Sequence, residues 1–129
     1  MKVLALDYGS ARTGVAVSDP TGTIARPLGV VERAAEEAGL QRLAELIRAE
    51  EADRVVVGLP LTLRGEQGAQ ARETEAFVES LRAAVDVPVE SFDERFTTRL
   101  AQSAPGPDDA RAAAHLLSSY LEWSSAARE

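Results

Sequence analysis

Val3-Leu4-Ala5-Leu6-Asp7-Tyr8-Gly9-Ser10-Ala11-Arg12-Thr13-Gly14-Val15-Ala16-Val17-Ser18-Asp19 is the stretch on which the reading of the whole chain turns. An apolar run of strand length ends on one carboxylate, passes a short loop holding Gly9 and Gly14, and resumes as a second run of small and apolar residues. Run, loop and run in that order read as a β-hairpin that presents Asp7 at the end of its first strand. A charge at the end of an apolar strand costs free energy unless a partner or a metal compensates it. The competing explanation is a loop carboxylate that accepts nearby backbone N–H groups, as short polar side chains do at turns.

Beyond the turn Asp19-Pro20-Thr21-Gly22, residues 23–31 read as a third strand, and Pro27 and Gly29 within it indicate an edge position or a bulge. Leu40, Leu43, Ala44 and Ile47 recur at helical spacing inside residues 36–50, giving an amphipathic helix with one buried face. Residues 54–59 contain Val55-Val56-Val57-Gly58-Leu59, stopped by Pro60, which suits a central strand covered on both sides. A loop over residues 60–68 carries Arg64, and a second helix follows over residues 70–84 with Thr74, Phe77, Val78 and Leu81 on one side.

Residues 87–92 read as a last strand that empties into Asp93-Glu94-Arg95-Phe96-Thr97-Thr98, so carboxylates again sit at a strand end. After a short helical piece, Ser103-Ala104-Pro105-Gly106-Pro107 breaks the chain, and a final helix runs from about residue 108 to residue 123. Three meander strands followed by helix, strand, helix, strand, helix make a mixed five-stranded sheet: three antiparallel strands extended by two parallel ones through right-handed crossovers, with helices on its faces. This α/β order is that of the ribonuclease H-like fold, expected here as a single domain over residues 1–129.

The bulk composition narrows the chemistry. The absence of cysteine excludes disulfides and thiolate zinc sites, and a single histidine, His115, leaves any metal site to oxygen ligands. Oxygen-only sites favour magnesium, manganese or calcium. A net charge of −7 argues against a protein that coats nucleic acid through a broad basic surface, while leaving room for short-range contacts by individual arginines and metal ions. The N-terminus has neither the basic nor the apolar block of a signal peptide, and no apolar run has the length of a membrane span, so the expectation is a soluble, cytoplasmic protein.

In the final helix the core stripe is Ala113, Leu116, Leu117 and Tyr120, and at about 100° per residue Asp109 falls on the same side one turn earlier. Asp109 is therefore expected to face the sheet, whereas Asp108 lies off the stripe, where it can cap the helix. Bringing Asp7, Asp109 and one of Asp93 or Glu94 together raises their pKa values by mutual repulsion unless cations lie between them. Two magnesium or manganese ions held this way can activate a water and stabilise the departing oxygen of a phosphodiester, with no histidine, cysteine or serine nucleophile.

Arg12, Arg64 and Arg95 all fall at strand ends, where each can either contact phosphate or pair with a neighbouring acid. Thr97 and Thr98 are expected to cap the short helix, His115 to lie off the inward stripe, and Phe77 and Trp123 to pack.

Four segments in order carry a family likeness: residues 7–19, then Val57-Gly58-Leu59-Pro60 with Gly65, then Asp93-Glu94-Arg95-Phe96-Thr97-Thr98, and Asp109 with Ala112-Ala113 and Tyr120-Leu121. Together they resemble the YqgF/RuvX family, ribonuclease H-like nucleases related to RuvC-type Holliday junction resolvases and assigned to maturation of the 5′ end of pre-16S ribosomal RNA. The resemblance implies Asp7, Glu94 and Asp109 as the metal-binding catalytic acids, with Asp93 the neighbour that strand alternation alone does not separate from Glu94. It also implies magnesium or manganese as cofactor, and structured RNA or branched DNA as partner. The family commonly has a longer, basic segment before the last aspartate. This chain has Leu100-Ala101-Gln102-Ser103-Ala104-Pro105-Gly106-Pro107-Asp108 there, which implies fewer phosphate contacts.

Two other functions compete with a nuclease. Nucleotide-hydrolysing and sugar-kinase-like enzymes also begin with a strand and an Asp-x-Gly loop, but need a second lobe for which 129 residues leave no room. A non-catalytic module for ribosomal or RNA-polymerase partners would not require carboxylates at all three positions. A homodimer would suit symmetric cutting of a four-way junction, although no residue signals one.

Overall fold

The computed structural model describes residues 1–61, 64–96 and 108–127. Its elements in chain order are β1 (Val3–Asp7), β2 (Arg12–Ser18), β3 (Ala25–Glu32), α1 (Glu37–Ala49), β4 (Arg54–Leu59), α2 (Ala69–Ala84), β5 (Val89–Asp93), a 3-10 turn over Glu94–Phe96, and α3 (Asp108–Ala127). The strands form one sheet in the order β3-β2-β1-β4-β5. β1 pairs antiparallel with β2, and β2 with β3, while β4 runs parallel to both β1 and β5. The mixed sheet expected from the order of elements is the one observed.

Period-2 alternation divides the strands between two cores. Leu4, Leu6, Val55, Val57 and Val89 face one side, where they pack with Leu43 and Ile47 of α1 and Phe77, Val78 and Leu81 of α2. Val3, Ala5, Ala16, Val56 and Phe92 face the other, against Ala113, Leu116, Leu117 and Tyr120 of α3. Val55, Val56 and Val57 are all fully buried, as a central strand covered on both sides requires. At roughly 1.5–3 kcal/mol for each large apolar side chain taken out of water, these two layers dominate the stabilisation of the sheet.

The third strand is an edge strand with the irregularity that Pro27 and Gly29 indicated. Val15 pairs with Gly29 and Ala16 with Pro27, so Leu28 is left over as a bulge. At the end of the sheet where β4 and β5 begin, Arg54 Nη1 donates to Glu90 Oε1 at 3.2 Å and to the Tyr120 hydroxyl at 3.1 Å, and that hydroxyl also bonds Glu90. This network ties α3 to β4 and β5. Phe77 packs as expected. Trp123 touches Phe92 and Tyr120 but remains half exposed, so it packs along one side only.

Several boundaries differ by one to four residues from the sequence reading, among them both ends of α1, which runs Glu37–Ala49, and the ends of β3 at Glu32 and of β5 at Asp93. β3 begins at Ala25 and β5 at Val89, after the Val87-Pro88 corner, while α2 begins at Ala69 and α3 continues to Ala127. The expected capping by Thr97 and Thr98, the expected break at residues 103–107 and the shortened basic segment lie outside the described residues, as does the Asp108 side chain. No helix among the described residues is long and apolar enough to cross a membrane.

Candidate active site

Asp7 closes β1, and Glu94 opens the 3-10 turn directly after β5. Between these strands lies β4, so a side chain from one must pass over β4 to reach the other. Gly58 makes that passage: a methyl group at this position would sit 2.6 Å from Glu94 Oε1, 3.1 Å from its Cγ and 3.0 Å from Leu116 Cδ2. Glu94 thus occupies the space that a side chain at 58 would fill, and its carboxyl group is hydrogen-bonded to that of Asp7. A glycine inside an otherwise β-branched strand marks such a close approach.

The third acid arrives on α3. β2 and the first turn of α3 touch so closely that a methyl at Gly14 would lie 1.8 Å from the carbonyl oxygen of Asp109. Only a glycine lets the helix start there, and the contact carries Asp109 to within electrostatic range of Asp7. The inward stripe behind it, Ala113, Leu116, Leu117 and Tyr120, is buried as its spacing indicates. Asp109 itself is part exposed, and its Oδ2 takes an ion pair from Arg12 Nε at 3.2 Å.

The electrostatics of the pair follow from its surroundings. Burial raises the pKa of Asp7 most; the hydrogen bond from Glu94 acts in the opposite direction, and repulsion from Asp109 raises it further. Burial, then the Asp7 charge, push Glu94 up to about 7, so of the two carboxyl groups Glu94 is the one poised to carry the shared proton toward the acid side of neutrality. Mutual repulsion was the cause expected from the sequence; burial proves the larger one.

Among the described residues, no three Asp, Glu or His side chains stand grouped closely enough to hold a metal ion as they are. The present arrangement offsets the acids in another way, with a Glu94 carboxyl raised toward its neutral form and the Arg12 guanidinium on Asp109. A proton and a guanidinium are what a divalent cation among hard oxygen donors would replace. In that respect the donor set fits magnesium or manganese.

Asp93, the neighbour that alternation left open, pairs with Arg95. Its Oδ1 and Oδ2 accept Arg95 Nε at 3.1 and 2.9 Å, and Oδ2 also accepts Arg95 Nη2 at 2.5 Å. Of the two readings open for Arg95, a phosphate contact or a pair with a neighbouring acid, the structure shows its guanidinium paired with Asp93. Arg64 is exposed on the loop after β4, and Arg12 is exposed at the start of β2. His115 is half buried at the boundary of α3. The sequence reading did not anticipate the support behind Asp7: Tyr8 stacks on Phe77 with ring centroids 4.4 Å apart, and its hydroxyl donates to Glu73 Oε1 at 3.1 Å. The aromatic ring beside the acid was the available signal.

Residues 1–123 match the sequence model of RuvX, described as a Holliday junction resolvase. The chain belongs to the RuvX family. A RuvX-family relative from Anaeromyxobacter sp. (strain Fw109-5), bearing the name "Putative pre-16S rRNA nuclease", is 43% identical over 133 aligned positions, covering 95% of this chain and 97% of the relative. One from Rubrobacter xylanophilus with the same name is 47% identical, covering 94% of this chain and 92% of its own. Among solved structures, Thermus thermophilus RuvC in complex with a Holliday junction substrate superposes with a TM-score of 0.68 over 97% of this chain and 95% of that one. At 18% identity this likeness speaks for the fold alone.

Proposed function

We propose that this RuvX-family chain is a metal-dependent nuclease that hydrolyses phosphodiester bonds, with Asp7, Glu94 and Asp109 as the acids that hold magnesium or manganese. The observation that carries the proposal is the reach of Glu94 across Gly58 to Asp7, with Asp109 brought to the same strand ends by the contact at Gly14. Three carboxylates from three separate elements, two of them raised in pKa, form an arrangement that stability alone does not require. Bound divalent ions would supply Lewis-acid activation of the attacking water and neutralisation of charge on the scissile phosphate.

The protein's own part is positioning and charge. Asp7 is fixed by β1 and by the Tyr8 stack behind it, and Glu94 would hold a cation in its deprotonated form. Arg12, paired with Asp109, and Arg64, exposed on the loop after β4, would meet the flanking phosphates, Arg12 leaving Asp109 as it does so. On a chain of net charge −7, a few local arginines rather than a basic surface supply that contact.

The substrate favoured is RNA carrying the 5′ leader of 16S ribosomal RNA, because relatives aligned over more than nine-tenths of both chains bear that name. The test is cleavage by purified wild type and Asp7→Asn of leader RNA, a four-way DNA junction and plain single strands, with manganese, magnesium or EDTA. Metal-dependent cutting of leader RNA that disappears in the variant is the expected result. Preference for the junction, with a dimer in size-exclusion chromatography, would make the chain a resolvase instead. No cutting by a folded, metal-loaded protein would overturn the nuclease in favour of a binding module.

A further inference from the structure

Asp93, Arg95 and Gly65 form a structure around Glu94 that the three acids alone do not explain. Asp93 and Arg95 flank Glu94 in sequence and close a ring over it. Asp93 Oδ1 accepts the backbone N–H of Arg95 at 2.9 Å as well as its Nε at 3.1 Å, and Oδ2 accepts Nε at 2.9 Å and Nη2 at 2.5 Å. A fork of this kind, two guanidinium nitrogens on one carboxylate, fixes both partners in orientation as well as in distance. The residue caught between them loses freedom in its backbone, and that residue is Glu94.

The same guanidinium lies against the loop after β4. A methyl at Gly65 would stand 3.2 Å from Arg95 Nη1, 3.4 Å from Nη2 and 3.5 Å from Cζ, so the planar group rests on bare backbone. Gly65 also has φ of +80°, a conformation that any side chain would strain. The loop is further closed by the bridge between Leu61 and Gln67, and the residue just before Gly65 is Arg64. One guanidinium therefore touches both the segment that presents an acid and the segment that presents an exposed arginine.

We propose that Asp93, Arg95 and Gly65 act as a clamp that holds Glu94 across Gly58 and seats the Arg64 loop beside it, with Arg95 a positioning residue rather than a phosphate contact. This rests on the reading of Glu94 as a metal ligand. Groups that orient ligands in this way cost 10–100-fold in metal affinity when removed. Lysine cannot reproduce the fork, so Arg95→Lys should behave as a loss and not as a conservative change.

The experiment is manganese titration calorimetry on wild type, Arg95→Met, Arg95→Lys, Asp93→Asn, the Asp93→Asn/Arg95→Met pair, Gly65→Ala and Glu94→Gln, with folding checked by circular dichroism, followed by cleavage kinetics. Arg95→Met and Arg95→Lys should each weaken manganese binding about 10–100-fold and lower kcat, with KM held within about twofold. The double variant should be no worse than Arg95→Met, because the two side chains work as one unit. Gly65→Ala should weaken binding in the same direction, which keeps the test open if Arg95→Met does not fold. Unchanged manganese affinity in Arg95→Met, with a raised KM that Arg95→Lys restores, would overturn the clamp and make Arg95 a phosphate contact. Unchanged affinity in Glu94→Gln would overturn the ligand assignment instead, a separate failure.

Discussion

Replacing Glu94 by glutamine should make the metal-free protein more stable at neutral pH while abolishing its activity. In the folded chain Glu94 is held at about 7 by burial and the neighbouring Asp7 charge, against an ordinary value of 4.5. Below pH 4.5 the folded and unfolded chains both carry the proton, and nothing is lost. Between that point and about pH 7 the unfolded chain releases it while the folded chain retains it, so stability falls as pH rises, and above pH 7 the full cost stays in place. Glu94 is only partly buried, and solvent screening reduces the cost to on the order of 1–2 kcal/mol. Asp7, raised in the same direction, adds to the slope. Glutamine keeps an N–H to donate to Asp7 and has nothing to titrate. Urea unfolding in EDTA from pH 4.5 to 8, followed by the single tryptophan, Trp123, at its contacts with Phe92 and Tyr120, reads this directly. Equal stability of the two proteins near pH 4.5, with the variant ahead by on the order of 1–2 kcal/mol at pH 8, is expected. Parallel curves across the whole range would refute the account of the Asp7–Glu94 pair.

Gly58→Ala should lower cleavage on the order of 100-fold, because a methyl 2.6 Å from Glu94 Oε1 forces that carboxylate off Asp7, while the free energy of unfolding in urea falls by only about 1–3 kcal/mol; wild-type kcat in the variant would contradict the crossing geometry. Arg12→Gln should leave stability within about 1 kcal/mol, its ion pair with Asp109 being exposed, yet reduce the slope of log affinity against log salt by about one; an unchanged slope in filter binding would remove Arg12 from the phosphate contacts.

The sheet could be read from local patterns because its signals are local: the run-loop-run of residues 3–19, the unbroken valines of β4 and the helical stripe of α3 each lie within one element. Asp109 was legible for the same reason, since its side of the helix follows from its distance to Ala113 and Leu116. The choice between Asp93 and Glu94 was not. Phe92 and Glu94 share parity along β5, but the chain leaves the strand for a 3-10 turn at Glu94, where alternation no longer binds it. What brings Glu94 rather than Asp93 against Asp7 is the empty position at Gly58 on the neighbouring strand, a fact about the sheet and not about the segment. The Arg12–Asp109 pair and the rest of Arg95 on Gly65 likewise depend on tertiary approach, so the arginines could be placed at strand ends from sequence but not assigned partners there.

The central claim, that Asp7, Glu94 and Asp109 together hold the catalytic cation, is tested most directly by a crystal structure grown in manganese and measured at an anomalous wavelength. The account expects manganese in contact with carboxylates of all three residues, with Arg12 released from Asp109. Manganese bound elsewhere at saturating concentration, with Glu94 still hydrogen-bonded to Asp7, would contradict it.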